Sequence, residues 1–407
     1  MHHQSRNDTK EEPSNWNSVR DVQYTLQLSK WLLKPIGVWP LVSGRSSRLD
    51  YFVSAVLMVT CFSSIFFIIV PSGHYVLYVN KSVQMKLKLF GPVGFCVSSV
   101  LKYCCLIIKS TPLKRCIQHV EKDWRTVQDP NHRGIMLKYM TMSRNLITIC
   151  ASFIYTGGMS FHTVMQFLSK EGVKDNSTFR PLSYPGYDWF LDVQSSPTYE
   201  IVFFTHCFAA MIMYTVTTAA YSFAAVFVTH ICGQIRIQIV KLDELVERIE
   251  MKDDDLLNTI VHDHVEILRF AKTTEKALRE LCFIQIVEST LIMCILEYYT
   301  IMGRRDAVVL LTYATLLISF TYNIFIFCYI GEILSEQFYL IGTTTYEIKW
   351  YTLPARKAHD LILLNIISQN PPKLTAGKII QLSLDTFGNV VKTSVVYLNL
   401  ILTITNW

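Results

Sequence analysis

The chain has 407 residues, of which 51% are hydrophobic and only 17% charged. A soluble domain of this size carries charge on about a quarter of its residues, so the composition excludes an ordinary soluble domain and points to an integral membrane protein. The net charge of +6 is spread along the loops, which suits orientation against an anionic leaflet and not nucleic-acid binding.

The opening stretch, MHHQSRNDTKEEPSNWNS, is polar and lacks a hydrophobic signal core. No cleaved signal is expected, and the first spanning helix is expected to act as the internal signal. Residues 24–40, YTLQLSKWLLKPIGVWP, are apolar but too interrupted to span; Trp31 and Trp39 suit the headgroup level, so an interfacial or re-entrant helix is predicted within a cytoplasmic segment 1–49. Seven apolar runs follow, near 50–71, 88–109, 145–168, 200–230, 281–302, 307–330 and 384–405. Each approaches the length that crosses a bilayer. The fold class predicted is an all-α membrane protein with seven transmembrane helices. Its segments are 50–232 (helices one to four with outer loops), 233–280 (a cytoplasmic helical anchor), 281–330 (helices five and six), 331–383 (a second anchor segment) and 384–407 (the last helix).

Lysine and arginine are only slightly biased between the two sides, so the acceptor sequons carry the orientation. Asn80-Lys81-Ser82 lies between spans one and two, and Asn176-Ser177-Thr178 between spans three and four. Glycosylation is lumenal, so Asn80 and Asn176 predict a cytoplasmic N-terminus and an extracellular C-terminus. Asn7-Asp8-Thr9 would then stay inside, unused. The loop 169–199 is rich in proline and aromatic residues; its composition fits a lid over an outer vestibule as well as a solvated connector. In 233–280, Ile237, Val240, Leu242, Leu245, Val246 and Ile249 recur at helical spacing beside a charged face. Such helices are expected to continue membrane helices into a packed bundle.

No catalytic constellation is visible, and neither a cofactor nor a metal is expected. His262, Asp263, His264 and Glu266 do not form the HExxH pattern, and a solvated helix face is the reading. Glu288 and Glu297 fall in span five without an obvious partner. The eleven cysteines sit mostly in apolar stretches and read as small buried hydrophobes. The outer halves of spans two, three, four and six hold Phe95, Tyr155, Gly158, Met159, His162, Phe204, Phe208, Met211, Tyr313 and Phe320. Residues of these types build an apolar pocket with a few polar handles, suited to a volatile, weakly polar ligand; ordinary helix packing is the alternative.

The last hundred residues carry an ordered series: Gly331-Glu332, Ser335, Tyr346, Trp350-Tyr351, Arg356-Lys357, Pro371-Pro372-Lys373-Leu374, Ala376-Gly377, Leu382-Ser383-Leu384, Phe387, Lys392-Thr393-Ser394 and Tyr397. In order and spacing this series resembles the insect odorant receptors, and the layout of the whole chain resembles them too. The long insertion in the second intracellular loop that marks the family's shared co-receptor is missing, so the resemblance implies a ligand-tuned subunit. It further implies a heterotetrameric, odorant-gated, non-selective cation channel formed with that co-receptor, in the plasma membrane of olfactory sensory neuron dendrites. The anchor segments, 233–280 and about 333–380, would be where subunits meet, and the final helix of each subunit would line a central pore.

The final helix agrees with that implication on physical grounds. Lys392 turned to lipid in mid-span would cost about 2.5 kcal/mol or more, whereas a water-filled axis keeps polar groups wet. Val396, Leu400, Thr403 and Ile404 share one helical face, and by family position Leu400 and Ile404 would form the apolar constriction. An amphipathic helix packed within its own subunit, with Lys392 snorkelling, is the alternative. A gustatory-type channel or a G-protein-coupled receptor also has seven spans. The sequons oppose the latter. A transporter would show paired intramembrane charges or inverted repeats, and the sequence reads as having neither.

Overall fold

The computed structural model describes residues 16–44, 46–79, 83–164, 180, 182–188, 190–250, 255–302 and 307–405. Those residues form eleven α-helices: α1 Ser18–Leu33, α2 Trp39–Ser43, α3 Arg48–His74, α4 Val83–Ile108, α5 Ser110–Thr126, α6 Pro130–Met159, α7 Thr198–Glu250, α8 Asp255–Met302, α9 Ala307–Glu347, α10 Ala355–Ser368 and α11 Leu384–Thr405. A hairpin of two short antiparallel strands, β1 Thr375–Ala376 and β2 Ile380–Gln381, joins α10 to α11. Six helices (α3, α4, α7, α8, α9 and α11) are long and apolar enough to cross a membrane. The run expected at 145–168 falls on α6 and the π-helical turn Ser160–Val164 after it, and then leaves the described residues. The first half of α6 carries Arg133, Lys138 and Arg144, so on composition α6 does not stand with the other six.

The anchor segment 233–280 does not consist of separate helices. It is the continuation of α7, which has 53 residues, and the first half of α8, which has 48. At 1.5 Å per residue each rod is about 70–80 Å long, more than twice the hydrocarbon thickness. Helix α7 is the axis of the fold. From Val216 to Ile235 every side chain except Gln234 is buried, as expected for a helix apolar all round. Ala209, Ala210, Ala219, Ala220, Ala224 and Ala225 keep it thin, so that neighbouring helices approach closely. Its hydroxyls satisfy themselves along the helix: Thr218 donates to the Tyr214 carbonyl (2.8 Å) and Thr229 to that of Ala225 (2.7 Å).

The stretch 24–40, expected to lie in the interface, packs against the bundle. Leu26, Leu33, Ile36 and Val38 are buried, and of its large apolar side chains only Trp31 remains mostly exposed. Polar clamps fix α1 to α6: Arg133 makes a two-pronged contact with Asp21 (2.7 and 2.8 Å), and Arg144 donates to the Tyr24 carbonyl (2.7 Å). At the same end α5 is held to α7 by His230 Nε2, 2.8 Å from Asp123 Oδ2. Nearby, burial holds His119 below the ordinary imidazole value although Asp123 beside it acts the other way. The solvated face expected at 262–266 holds for His262 but not for His264. The latter is buried, its Nδ1 3.2 Å from Gln238 Oε1 on α7.

The C-terminal series becomes a joint in three dimensions. Gly331 is where the backbone of Leu382 crosses α9, and a methyl group there would run into the Leu382 carbonyl. Glu332, one residue on, accepts from the Leu384 backbone N–H (3.0 Å), and Ser383 Oγ accepts from that of Thr386 (3.2 Å). Together they cap the first turn of α11, whose N–H groups have no partner within the helix. Helix α11 then runs along α8 with a narrow buried stripe, Val390, Ser394 and Leu398.

Candidate functional site

A cavity of about 460 Å³ lies between α4, α6, α7, α8 and α9, within the usual range for small-molecule sites. Phe95 and Pro92 of α4 form one wall; Tyr214, Thr217 and Tyr221 of α7 form another. Helix α8 contributes Gln285, Ile292, Ile295, Leu296 and Tyr299, and α9 contributes Tyr313, Leu316, Ser319, Phe320 and Asn323. The aromatic rings are fitted to one another: Phe95 meets Phe320 edge-on at 6.1 Å, and Tyr299 stacks on Tyr313 at 5.3 Å. Gly158 exists because of Tyr214, whose ring occupies the place a methyl group at 158 would take.

The segment 182–188 roofs the cavity. Tyr184 and Tyr187 are both 1% exposed. Tyr187 donates its hydroxyl proton to the Phe67 carbonyl (2.9 Å) and accepts from His206 Nε2 (2.8 Å), which places the proton of that imidazole on Nε2. Ser72 Oγ donates to the Pro185 carbonyl (3.2 Å). Gly186 takes φ +107 with its α-carbon against the Pro71 carbonyl, so both conformation and space demand glycine. Of the two readings that composition left open for this loop, the described part is a lid.

His162 reaches the cavity from the π-helical turn that ends α6. Its Nδ1 lies 3.0 Å from the Gly158 carbonyl and 2.8 Å from the Tyr214 hydroxyl. Protonated there, it donates to the carbonyl; deprotonated, it accepts from Tyr214. Nε2 is buried with no partner. At the far end, one hydrogen bond from the cavity, Lys102 Nζ donates to Thr217 Oγ1 (3.2 Å) and pairs with the Glu288 carboxylate. Both charged side chains are almost fully buried, at 0% and 2%. Glu288, without an obvious partner in the sequence, thus has one in Lys102, and the two apolar spans do carry a paired charge.

Five of the ten candidate pocket residues line the cavity: Phe95, Gly158, His162, Tyr313 and Phe320. Tyr155 stands behind the wall, its hydroxyl 2.7 Å from Thr215 Oγ1, and Met159 packs against the core. Phe204, Phe208 and Met211 do not line the cavity. They are 69%, 53% and 41% exposed on the outside of α7, away from the cavity. An aromatic residue is as comfortable against lipid as in a pocket, so its type gave no phase. The walls from α8, the roof tyrosines and the polar end were missed. Lys102, Gln285 and Asn323, polar side chains inside apolar spans, were the available signal.

On α11, Val396, Leu400 and Ile404 are 63%, 56% and 56% exposed, and Thr403 and Lys392 are exposed with them. No described residue of this chain covers that face. The opposite stripe meets α8, where Ser394 Oγ donates to Glu297 Oε1 (2.8 Å). Helix α8 thus has the cavity on one side and α11 on another. Asn80 and Asn176 lie outside the described residues.

The sequence profile of the family described as "7tm Odorant receptor" matches residues 82–395. Odorant receptor 13a of Drosophila melanogaster is 25% identical over 234 residues, which is 52% of this chain and 54% of that one. Odorant receptor 10 of Aedes albopictus is 22% identical over 223 residues, 53% and 58% of the two chains. The matched stretch therefore spans about half the length of these curated relatives. Among solved structures, the insect olfactory receptor OR5 from Machilis hrabei in complex with eugenol superposes with a TM-score of 0.80 at 14% identity, over 95% of this chain and 100% of that one. The structure of the same receptor described without eugenol gives 0.75 at 16% identity. At such identities the likeness establishes the fold.

Proposed function

This chain belongs to the insect odorant receptor family, and from that premise we propose that it is a ligand-tuned subunit of an odorant-gated, non-selective cation channel. In this reading a volatile organic molecule binds in the roofed cavity, and α11 lines a pore shared with other subunits, a co-receptor among them, in a heterotetramer. The observation that carries the reading is the double role of α8. Ile295 and Leu296 face the cavity while Cys294 and Tyr298 pack on Leu398 of α11. A ligand that favours one setting of α8 therefore biases α11 by as much as its affinity differs between the two settings.

The chain is a multi-pass membrane protein. We take α6 as the seventh span, because its apolar second half carries Gly158 and His162 to the same cavity as the other helices. The orientation follows the sequons: α1, α2, α5, α10 and the lower parts of α7 to α9 lie in the cytoplasm as the anchor, and the roof faces outward. The exposed face of α11 supports the pore reading, since Lys392 and Asn399 on it need water that lipid does not supply, whereas the Thr403 hydroxyl donates to the Asn399 carbonyl (2.9 Å). Leu400 and Ile404 then form the narrowest ring, with Val396 and Thr403 beside it. Residence in olfactory sensory neuron dendrites belongs to the same proposal.

The test is heterologous expression with and without an insect co-receptor, recording whole-cell current under a broad panel of volatiles. Cation current that requires both chains is expected. Full current from this chain alone removes the co-receptor from the reading, and silence of the surface-expressed pair across the panel removes the channel.

A further inference from the structure

Two polar groups close the inner end of the cavity with no partner of their own. Asn323 is 4% exposed; its Nδ2 donates to the Ser319 backbone carbonyl (2.7 Å). A carbonyl only accepts, so this bond fixes the amide orientation and leaves Oδ1 as the free atom. That Oδ1 is buried and unpaired. Tyr221, 2% exposed, likewise has a buried hydroxyl without a partner. Both residues line the cavity. They stand at the same end of the cavity on α7 and α9: the Tyr221 ring packs edge-on against Phe327 at 5.0 Å, one turn along α9 from Asn323.

Leaving such groups unmet costs about 1–3 kcal/mol each, so the inner end favours a ligand that meets both. Asn323 Oδ1 needs a donor, and the Tyr221 hydroxyl needs an acceptor or a donor. One ligand hydroxyl is both at once. An ether, ester or ketone oxygen meets Tyr221 alone, and a hydrocarbon meets neither. At this end a charged ligand group finds no counter-ion, since Lys102 and Glu288 neutralise each other and Lys88, Arg180 and Asp188 line the cavity from α4 and the roof instead, and a buried unpaired charge is far more costly than a polar group. Above this end Phe95, Phe320 and Leu316 supply apolar side walls.

We infer that the inner end of the cavity is a hydroxyl-recognition subsite, and that the preferred ligands are neutral alcohols or phenols whose hydroxyl donates to Asn323 Oδ1 and accepts from Tyr221. This rests on the reading of the cavity as the odorant site, and it names the ligand class that the site takes.

The test uses two sets matched in heavy atoms: octanol, heptyl methyl ether and nonane; para-butylphenol, para-propylanisole and para-butyltoluene. Each is applied to the full chain co-expressed with an insect co-receptor, and each is also assayed for thermal stabilisation of the purified full chain in detergent. In at least one set the alcohol or phenol is expected to act at a concentration about tenfold below its ether, with the hydrocarbon weakest. Asn323→Leu removes the preference for the hydroxyl compound over its ether and leaves the ether within about twofold. Tyr221→Phe weakens both oxygen compounds and spares the hydrocarbon. Ratios within one variant do not depend on how much receptor reaches the surface, and Tyr221→Phe deletes a single oxygen should Asn323→Leu fold poorly. Hydroxyl-selective stabilisation that these variants abolish supports the subsite even where no current flows; the channel reading then fails by itself. Equal behaviour of hydroxyl compound and ether in both sets and both readouts overturns the inference. So does a shift of all three classes together in the two variants, which marks a packing role.

Discussion

Helices α7 and α11 are both apolar enough to cross a membrane, yet they meet the rest of the chain in opposite ways. Helix α7 hides nearly every side chain over five turns, and seven other helices press against it or run beside it. Helix α11 buries one stripe, Val390, Ser394 and Leu398, and leaves Lys392, Val396, Leu400 and Ile404 uncovered. Apolarity measures what a helix tolerates around it, not what its own chain supplies. The well-packed helix is the scaffold on which the cavity is built. The thinly packed one has spare surface, and some of that surface is polar, which is what the proposed pore asks of it.

Four substitutions sharpen or break this contrast, taken in order of their expected effect on the stability of the fold. Lys102→Met leaves Glu288 buried without its counter-charge and is expected to cost about 3–5 kcal/mol. Melting of the detergent-solubilised protein and surface expression should both fall. Adding Glu288→Leu should recover most of the loss, because an apolar pair replaces an ionic one; a single variant that melts like the wild type would show that the interior does not depend on the pair. Tyr187→Phe strips the roof of its bonds to Phe67 and His206, about 1–3 kcal/mol for the groups left unmet. Faster decay of the response on wash-out is the expected sign, and an unchanged decay would mean the roof is held elsewhere. Ser394→Ala removes the hydrogen bond from α11 to Glu297, worth about 1 kcal/mol. The concentration–response curve is expected to move while surface expression stays; a curve that does not move separates α11 from α8 in gating. Leu400→Ala touches an exposed side chain and should change stability by less than about 0.5 kcal/mol. Its effect belongs to the current, as raised basal leak or altered ion selectivity, and a channel indifferent in both respects would take Leu400 out of the constriction.

The same contrast explains what could be read in the sequence. Long apolar runs and the helical continuation of 233–280 were legible because hydrophobic period and length are local properties. The motif series at the C-terminal end was legible as a pattern, and its meaning appeared only when Gly331 and Glu332 were seen to receive Leu382 and Leu384. Facing directions were the weak point. On α7 the aromatic residues Phe204 and Phe208 point outward while Tyr214 and Tyr221 point to the cavity, and one-dimensional apolarity is blind to that choice when lipid and protein are equally apolar. Pairings distant in sequence were likewise invisible: nothing near Lys102 announces Glu288, and nothing near Tyr187 announces Phe67. His264 shows the converse error, a charged neighbourhood read as exposed although α7 covers one of its members.

The Lys102–Glu288 pair also sets a condition on how the chain is made. Lys102 is synthesised about 190 residues before its partner, which at 5–20 residues per second is a delay of roughly 10–40 s. Through that interval α4 holds a cation that the hydrocarbon rejects and that no earlier helix neutralises. Final seating of α4 must therefore wait for α8, so the early half of the protein is completed by the late half. Chimaeras that exchange one of these helices without the other should mature poorly, and those that exchange both together should not.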